Sequence, residues 1–224
     1  INQPLNAIKM GSEYLTMMRE KKRSVKAEDM DLVVTEISSQ VTRAAEIIGR
    51  LKSFSRKTDF SRDVIDINAC AQSVYKIIGR QIALQNIELS MDLDSRLPRI
   101  LAHNNRMEQV IFNLLTNARD AVNERIETLK DIENGRIKIA TFSDSQNVVL
   151  DISDNGIGIK SEHMDRIFES FYTTKEMGEG LGLGLPIIKG IVKDYGGTIS
   201  VESKPGSATS FRIIFPAHHP RETT

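Results

Sequence analysis

Tryptophan is absent from this 224-residue chain, cysteine occurs once, and neither sign of charge is in excess. Each absence removes a class of protein. The 30 basic and 30 acidic side chains cancel, so nothing suggests broad electrostatic capture of nucleic acid or of an anionic membrane. Aromatics make up only 5% of the residues, which leaves little for a base-stacking surface. Cys70 alone cannot build an intrachain disulfide framework, and a lone thiol fits a reducing cytosol. No apolar run approaches the roughly 20 residues of a membrane span, and no signal peptide is visible. A soluble, cytosolic, cytoplasmic piece is expected, holding one large domain or two small ones. Because residue 1 is not Met, membrane attachment is expected only through segments absent from this chain.

What is present falls into two halves with different periods. Val34, Ile37, Val41, Ala44, Ile48 and Leu51 recur at alternating steps of three and four, framed by Glu36, Arg43, Glu46 and Arg50. Leu5, Ile8, Leu15 and Met18 keep the same period upstream, and the charged "REKKRSVKAED" (19–29) reads as a solvated turn. Two such helices make an antiparallel hairpin over residues 1–58. A lone hairpin buries little, so a homodimer with a four-helix bundle is expected. The alternative is a seam packed on the chain's own downstream domain.

After "SRKTDFSRD" the period changes. Strand-like runs at 64–67, 87–93, 136–142, 148–152, 198–203 and 210–215 alternate with helical stretches near 68–84, 105–130 and 183–195. The pattern predicts an α+β chain in which an α/β sandwich with a mixed sheet fills residues 59–217. The tail 218–224 has no apolar content and reads as frayed.

The chemistry lies in four segments of the second half. In "VIFNLLTNARDAV" (110–122), Val110, Leu114 and Ala121 form a helical apolar stripe. Asn113, Asn117 and Asp120 form a second stripe beside it, and amides at a core edge cost about 1–3 kcal/mol each unless bonded. "DISDNGIGI" (151–159) ends a strand with Asp154, and Gly156 and Gly158 allow a sharp turn and close approach to a ligand. "RIFESFYTTK" (166–175) supplies Phe168 and Phe171 as an anchor, then two hydroxyls and Lys175, in the manner of a lid. "GEGLGLGLPI" (178–187) spaces Gly180, Gly182 and Gly184 before a helix, where bare N–H groups suit phosphate. It is neither a Walker A loop nor the dinucleotide fingerprint.

In that order the segments resemble the N box ("NLLTNARDA"), first G box ("DNGIGI"), F box ("FESFYTTK") and second G box ("GLGLGL") of the sensor histidine kinases in the GHKL superfamily. "GGTISVESKPGSATSFRIIFP" resembles that family's closing strand pair, and the likeness spans about 60–217. The resemblance implies ATP and Mg²⁺ as cofactors. Asn117 and Asn113 would face the triphosphate and supply an amide oxygen to the metal, which prefers oxygen ligands. Asp154 would bind the adenine amino group, Gly156 and Gly158 would make room for the base, and Gly180, Gly182, Leu183 and Gly184 would cradle phosphates, with Lys175 a further phosphate contact. Asp120 stands where many relatives carry a basic residue and takes no phosphate role.

"INQPLNAI" resembles the middle of the family's H box. On that alignment the phosphoacceptor His lies two residues before Ile1 and is absent from this chain. His103, His163, His218 and His219 lie off the hairpin and are not substitutes. In that family the position four after the acceptor often holds Thr or Asn and orients water for dephosphorylation of a partner. Gln3 stands there in this chain, a departure from that pattern, and the resemblance implies it as the candidate helper. The family implies γ-phosphoryl transfer from ATP to a histidine and then to an aspartate of a response-regulator receiver domain docking near Gly11 to Met18. Rival readings are a clamp-type GHKL ATPase and a non-catalytic nucleotide-binding dimeric scaffold.

Overall fold

The computed structural model describes residues 2–21, 25–55, 62–144, 146–175 and 182–219, with side chains in the first two helices described for 7–21 and 25–41. The chain divides into two compact units, one within residues 1–59 plus 175–181 and one spanning 60–174 and 182–224.

The first unit is a hairpin of α1 (Asn2–Glu20) and α2 (Ala27–Ser55). At Gly11 the two helices come close together. A β-carbon there would lie 3.1 Å from two side-chain atoms of Ile37 and 3.4 Å from Val33, so a bare backbone lets the helices meet. The apolar stripe of α2 is thereby divided. Ile37 turns toward α1, whereas Val34 and Val41 remain 51% and 50% exposed. Ala44, Ile48 and Leu51 lie outside the described side chains. The charged turn is shorter than the sequence suggests. Ala27, Glu28 and Asp29 belong to α2, whose first turn favours acidic side chains beside its positive dipole end.

The second unit opens with β1 (Asp63–Ile65), which pairs antiparallel with β3 (Ile100–Ala102), a short strand the periodicity did not predict. β1 stops before the expected Ile67. The Asp66 carboxylate accepts from Asn68 N at 2.8 Å and caps α3 (Ile67–Ala83), converting the strand's end into a helix start. The main sheet has the order β2-β4-β5-β7-β6, from β2 (Ile87–Leu93), β4 (Gly135–Ser143), β5 (Asn147–Asp154), β6 (Thr198–Lys204) and β7 (Ala208–Pro216). Only β2 and β4 run parallel, so the sheet is mixed as expected.

Strand alternation sorts the faces. Ile137, Ile139, Val148, Leu150, Ile152, Phe211, Ile213 and Phe215 are buried. α3, α4 (Asn104–Thr128) and α6 (Gly184–Asp194) pack on the sheet. On the opposite face Lys138 pairs with Asp92, and Arg212 with Asp151. Among the described residues, no helix is long and apolar enough to cross a membrane.

Candidate functional site

α4 is seated by Met107, Val110, Ile111, Leu114, Leu115, Ala118 and Val122, all buried. Ala121, expected in that stripe, is half-buried, and its carbonyl instead accepts from Ile157 N at 2.9 Å. Asn113 and Asn117 are half-buried at the stripe's margin. Among the described residues neither amide side chain is bonded by the protein, and no fully buried side-chain polar atom lacks a partner. The two amides therefore reach the surface, which is how the fold tolerates them unbonded. Asp120 differs, because Arg119 donates to it from Nη2 at 2.6 Å and from Nε at 2.9 Å.

Asp154 ends β5 with only 8% of its surface exposed. Its Oδ1 accepts from Gly156 N at 2.8 Å. Burial outweighs that bond and pushes the carboxyl up to about 7. The cross-strand partner of Asp154 is Thr209 on β7, itself 4% exposed. Nothing in the sequence period marked Thr209. It becomes legible only when β7 is paired with β5 in register. An open cavity of about 380 Å³ at the strand ends is lined by both residues and by Ser203.

The glycines of this turn are used against protein backbone. A β-carbon on Gly156 would lie 2.7 Å from the carbonyl carbon of Ala121 on α4. Gly158 has φ +72°, and a β-carbon there would lie 2.2 Å from Lys204 O. Arg125 secures the same region, donating from Nη1 to Asn155 O at 2.9 Å and to Ser207 O at 2.6 Å while Asp131 holds its other nitrogens. Arg125 was another residue without a sequence signal, since a long cation on a polar helix face usually signifies solvation.

The aromatic anchor of the lid needs correction. Phe168 is half-buried with Lys189 Nζ 5.1 Å from its ring centroid, but Phe171 is 72% exposed. Phe171 adopts φ +69°, which turns its side chain outward and sends its N–H to Gly182 O at 2.9 Å. Tyr172 is the residue held down, with its hydroxyl bonded to His163 Nδ1 at 2.5 Å. Gly182 has φ +62°, and a β-carbon there would lie 2.5 Å from Phe171 C and Tyr172 O. The two ends of the loop thus meet at a neck. Lys175 is the last described residue before 182 and belongs to the first compact unit, so it is not grouped with the site. Gly180 lies outside the described residues.

Past the neck, Leu183 is buried and Gly184 opens α6. Among the described residues no side chain caps this helix start and no acidic residue occupies its first turn, which leaves N–H groups suited to an anion. A β-carbon on Gly184 would lie 4.0 Å from Asn117 Nδ2. The expected amide and the expected glycine turn, far apart in sequence, are brought together. Gln3 falls within α1, but its side chain is outside those described. His103 is tied to the Tyr195 hydroxyl at 2.7 Å.

Residues 102–219, more than half of the chain, match the family of histidine kinase-, DNA gyrase B- and HSP90-like ATPases. The chain belongs to that family. Its α/β unit is accordingly a nucleotide-binding domain. Among curated relatives, the sensor kinase CckA of Brucella abortus is 32% identical over 222 residues, which is 96% of this chain and 23% of that protein. The chain therefore spans about a quarter of that relative's length. The catalytic domain of the histidine kinase ThkA superposes with a TM-score of 0.60 at 29% identity, covering 70% of this chain and 99% of that one. ThkA in complex with the response regulator TrrA superposes with a TM-score of 0.71 over 97% of this chain and 59% of that one, and at 24% identity it shares the fold.

Proposed function

We propose that the chain is the kinase core of a sensor histidine kinase, with a dimerising hairpin at 1–58 and an ATP-binding unit at 59–217. In the complete protein it moves the γ-phosphoryl group of ATP to a histidine and then to an aspartate of a response regulator. The observation that carries this reading is the meeting of Asn117 with the uncapped start of α6, two groups suited to one polyphosphate. Asp154 takes the adenine amino group, and Thr209 beside it supplies a second polar atom. Gly182, Leu183 and Gly184 form the phosphate cradle.

The amide oxygens of Asn113 and Asn117 suit Mg²⁺, a hard ion that accepts neutral oxygen ligands and shares phosphate oxygens. Bound there, the ion would neutralise phosphate charge. The protein's own share is positioning, which supplies most of the catalysis in phosphoryl transfer. On the H-box alignment the acceptor histidine precedes Ile1, and Gln3 follows it as a helper in partner dephosphorylation.

The hairpin supports a homodimer, since Met10, Leu32, Val34 and Val41 leave apolar surface exposed on both helices. ThkA's complex with TrrA supports a receiver domain as the second partner. The core operates in the cytoplasm, where ATP and response regulators are found. The decisive experiment is autophosphorylation of the chain extended upstream through the acceptor position. Acid-labile label that depends on the added histidine is expected. ATP hydrolysis without such label would favour a clamp ATPase, and nucleotide binding with neither would favour a scaffold.

A further inference from the structure

We propose that Tyr172 and His163 are positioning residues for the phosphate end of the nucleotide site, acting through the neck between Phe171 and Gly182. The proposal rests on the nucleotide reading above and assigns work to residues that the family's boxes leave without a role.

The contacts form one chain. His163 sits in the short helix α5 (Ser161–Met164), and its Nε2 lies 3.5 Å from the Glu162 carboxylate. A carboxylate on that side favours the tautomer with Nε2–H, which leaves Nδ1 to accept from the Tyr172 hydroxyl at 2.5 Å. The guanidinium of Arg166 lies 4.2 Å from the Tyr172 ring centroid, and Glu169 holds Arg166 through Nε at 3.2 Å. Tyr172 is therefore fixed at its tip and on one face. Its preceding neighbour Phe171 donates to Gly182 O, and Gly182 backbone packs against Tyr172 backbone. Gly182 leads through the buried Leu183 to Gly184, the residue that approaches Asn117.

Holding Tyr172 thus sets where the first turn of α6 begins. The adenine end is built separately, from Asp154 and Thr209 on neighbouring strands, and shares no hydrogen bond with the clamp among the described residues. Loosening the clamp should harm phosphate binding and spare the base. An ordinary stabilising contact would harm both or neither.

The test is titration of the chain with ATP plus Mg²⁺ and, separately, with adenosine, followed by NMR. Tyr172→Phe keeps the ring and its cation contact and removes only the hydroxyl. His163→Ala removes the acceptor. Each variant should weaken ATP by about threefold to tenfold, the worth of one hydrogen bond, and leave adenosine unchanged. The double variant should be no worse than either single one, because both remove the same bond. Equal weakening of both ligands, no weakening of ATP, or additive losses in the double variant would overturn the proposal. An unaltered chain that binds neither ligand would overturn the nucleotide reading, and this proposal with it.

Discussion

Asn117 on α4 and Gly184 at the start of α6 face each other across a gap into which a β-carbon would just fit, 4.0 Å from the Asn117 amide nitrogen. Under the proposed function, the side-chain amide and the start of α6 would meet a single ligand. Because no described residue bonds that amide, its replacement should be structurally silent. Asn117→Ala should leave thermal unfolding within about 0.5 kcal/mol of the original, because it removes no bond made by a described residue. It should abolish magnesium-dependent ATP binding. A large drop in melting temperature would show that the amide serves the fold.

Asp154 makes stability depend on pH in a stated direction. Its folded-state value, about 7, lies above the ordinary value of 3.8 for this carboxyl group. Its contribution is therefore fully present below 3.8 and is lost as pH rises through about 7. Asp154→Asn should flatten this part of the stability curve, measured by denaturant unfolding from pH 4 to pH 8. Adenosine, which has no titrating group near 7, should release a proton on binding near neutrality. Calorimetry in buffers of different ionisation heat reads that release directly. The same variant should weaken adenine binding by about 1–3 kcal/mol, and equal affinity for ATP and GTP would refute the adenine assignment.

The glycines predict opposite outcomes at different places. Gly158→Ala should cost about 1–3 kcal/mol, since the backbone is left-handed there and Lys204 O occupies the space. Gly190→Ala, in the middle of α6 with nothing within 4 Å, should instead stabilise by about 0.5–1 kcal/mol. Chemical denaturation of both variants checks the pair.

Assembly can be read from sedimentation. Val34 and Val41 are half exposed in the single chain, so Val34→Glu with Val41→Glu should not unfold the hairpin. Charges placed in a bundle core are costly, so the variant should sediment as a monomer where the original is a dimer. Unchanged sedimentation would assign the seam to the chain's own second unit.

This 224-residue chain should bind ATP yet acquire no acid-labile phosphohistidine from radiolabelled ATP. Robust label would place the acceptor within it, and His103→Gln would be the first variant to try.

Legibility followed the range of the forces involved. Strands β2, β4, β5, β6 and β7 and helices α3, α4 and α6 were visible because burial repeats with a local period. β3 was not, because three residues are too few for a period, and its pairing with β1 is a long-range event. Phe171 and Tyr172 were misjudged together. Hydrophobicity nominated Phe171 as the anchor, but a left-handed backbone turned it to solvent and a histidine nine residues upstream captured the tyrosine. Asn113 and Asn117 stood out because polarity beside an apolar stripe is a local conflict, and the fold meets it by bringing both amides to the surface. Thr209 and Arg125 follow ordinary patterns in the sequence, and only strand register and the approach of the 204–207 turn give them their places.

The neck at Phe171 and Gly182 also separates the length of the intervening loop from the architecture of the domain. Its ends are joined by a backbone hydrogen bond whatever the number of residues between them. Lengthening such a loop raises its closure entropy only logarithmically, by about 0.6 kcal/mol for each doubling. Insertions after Lys175 should therefore leave the Phe171–Gly182 hydrogen bond in place and the melting temperature almost unchanged. A reporter peptide grafted after Lys175 should accordingly leave the sheet undisturbed, which thermal unfolding of the grafted chain would check.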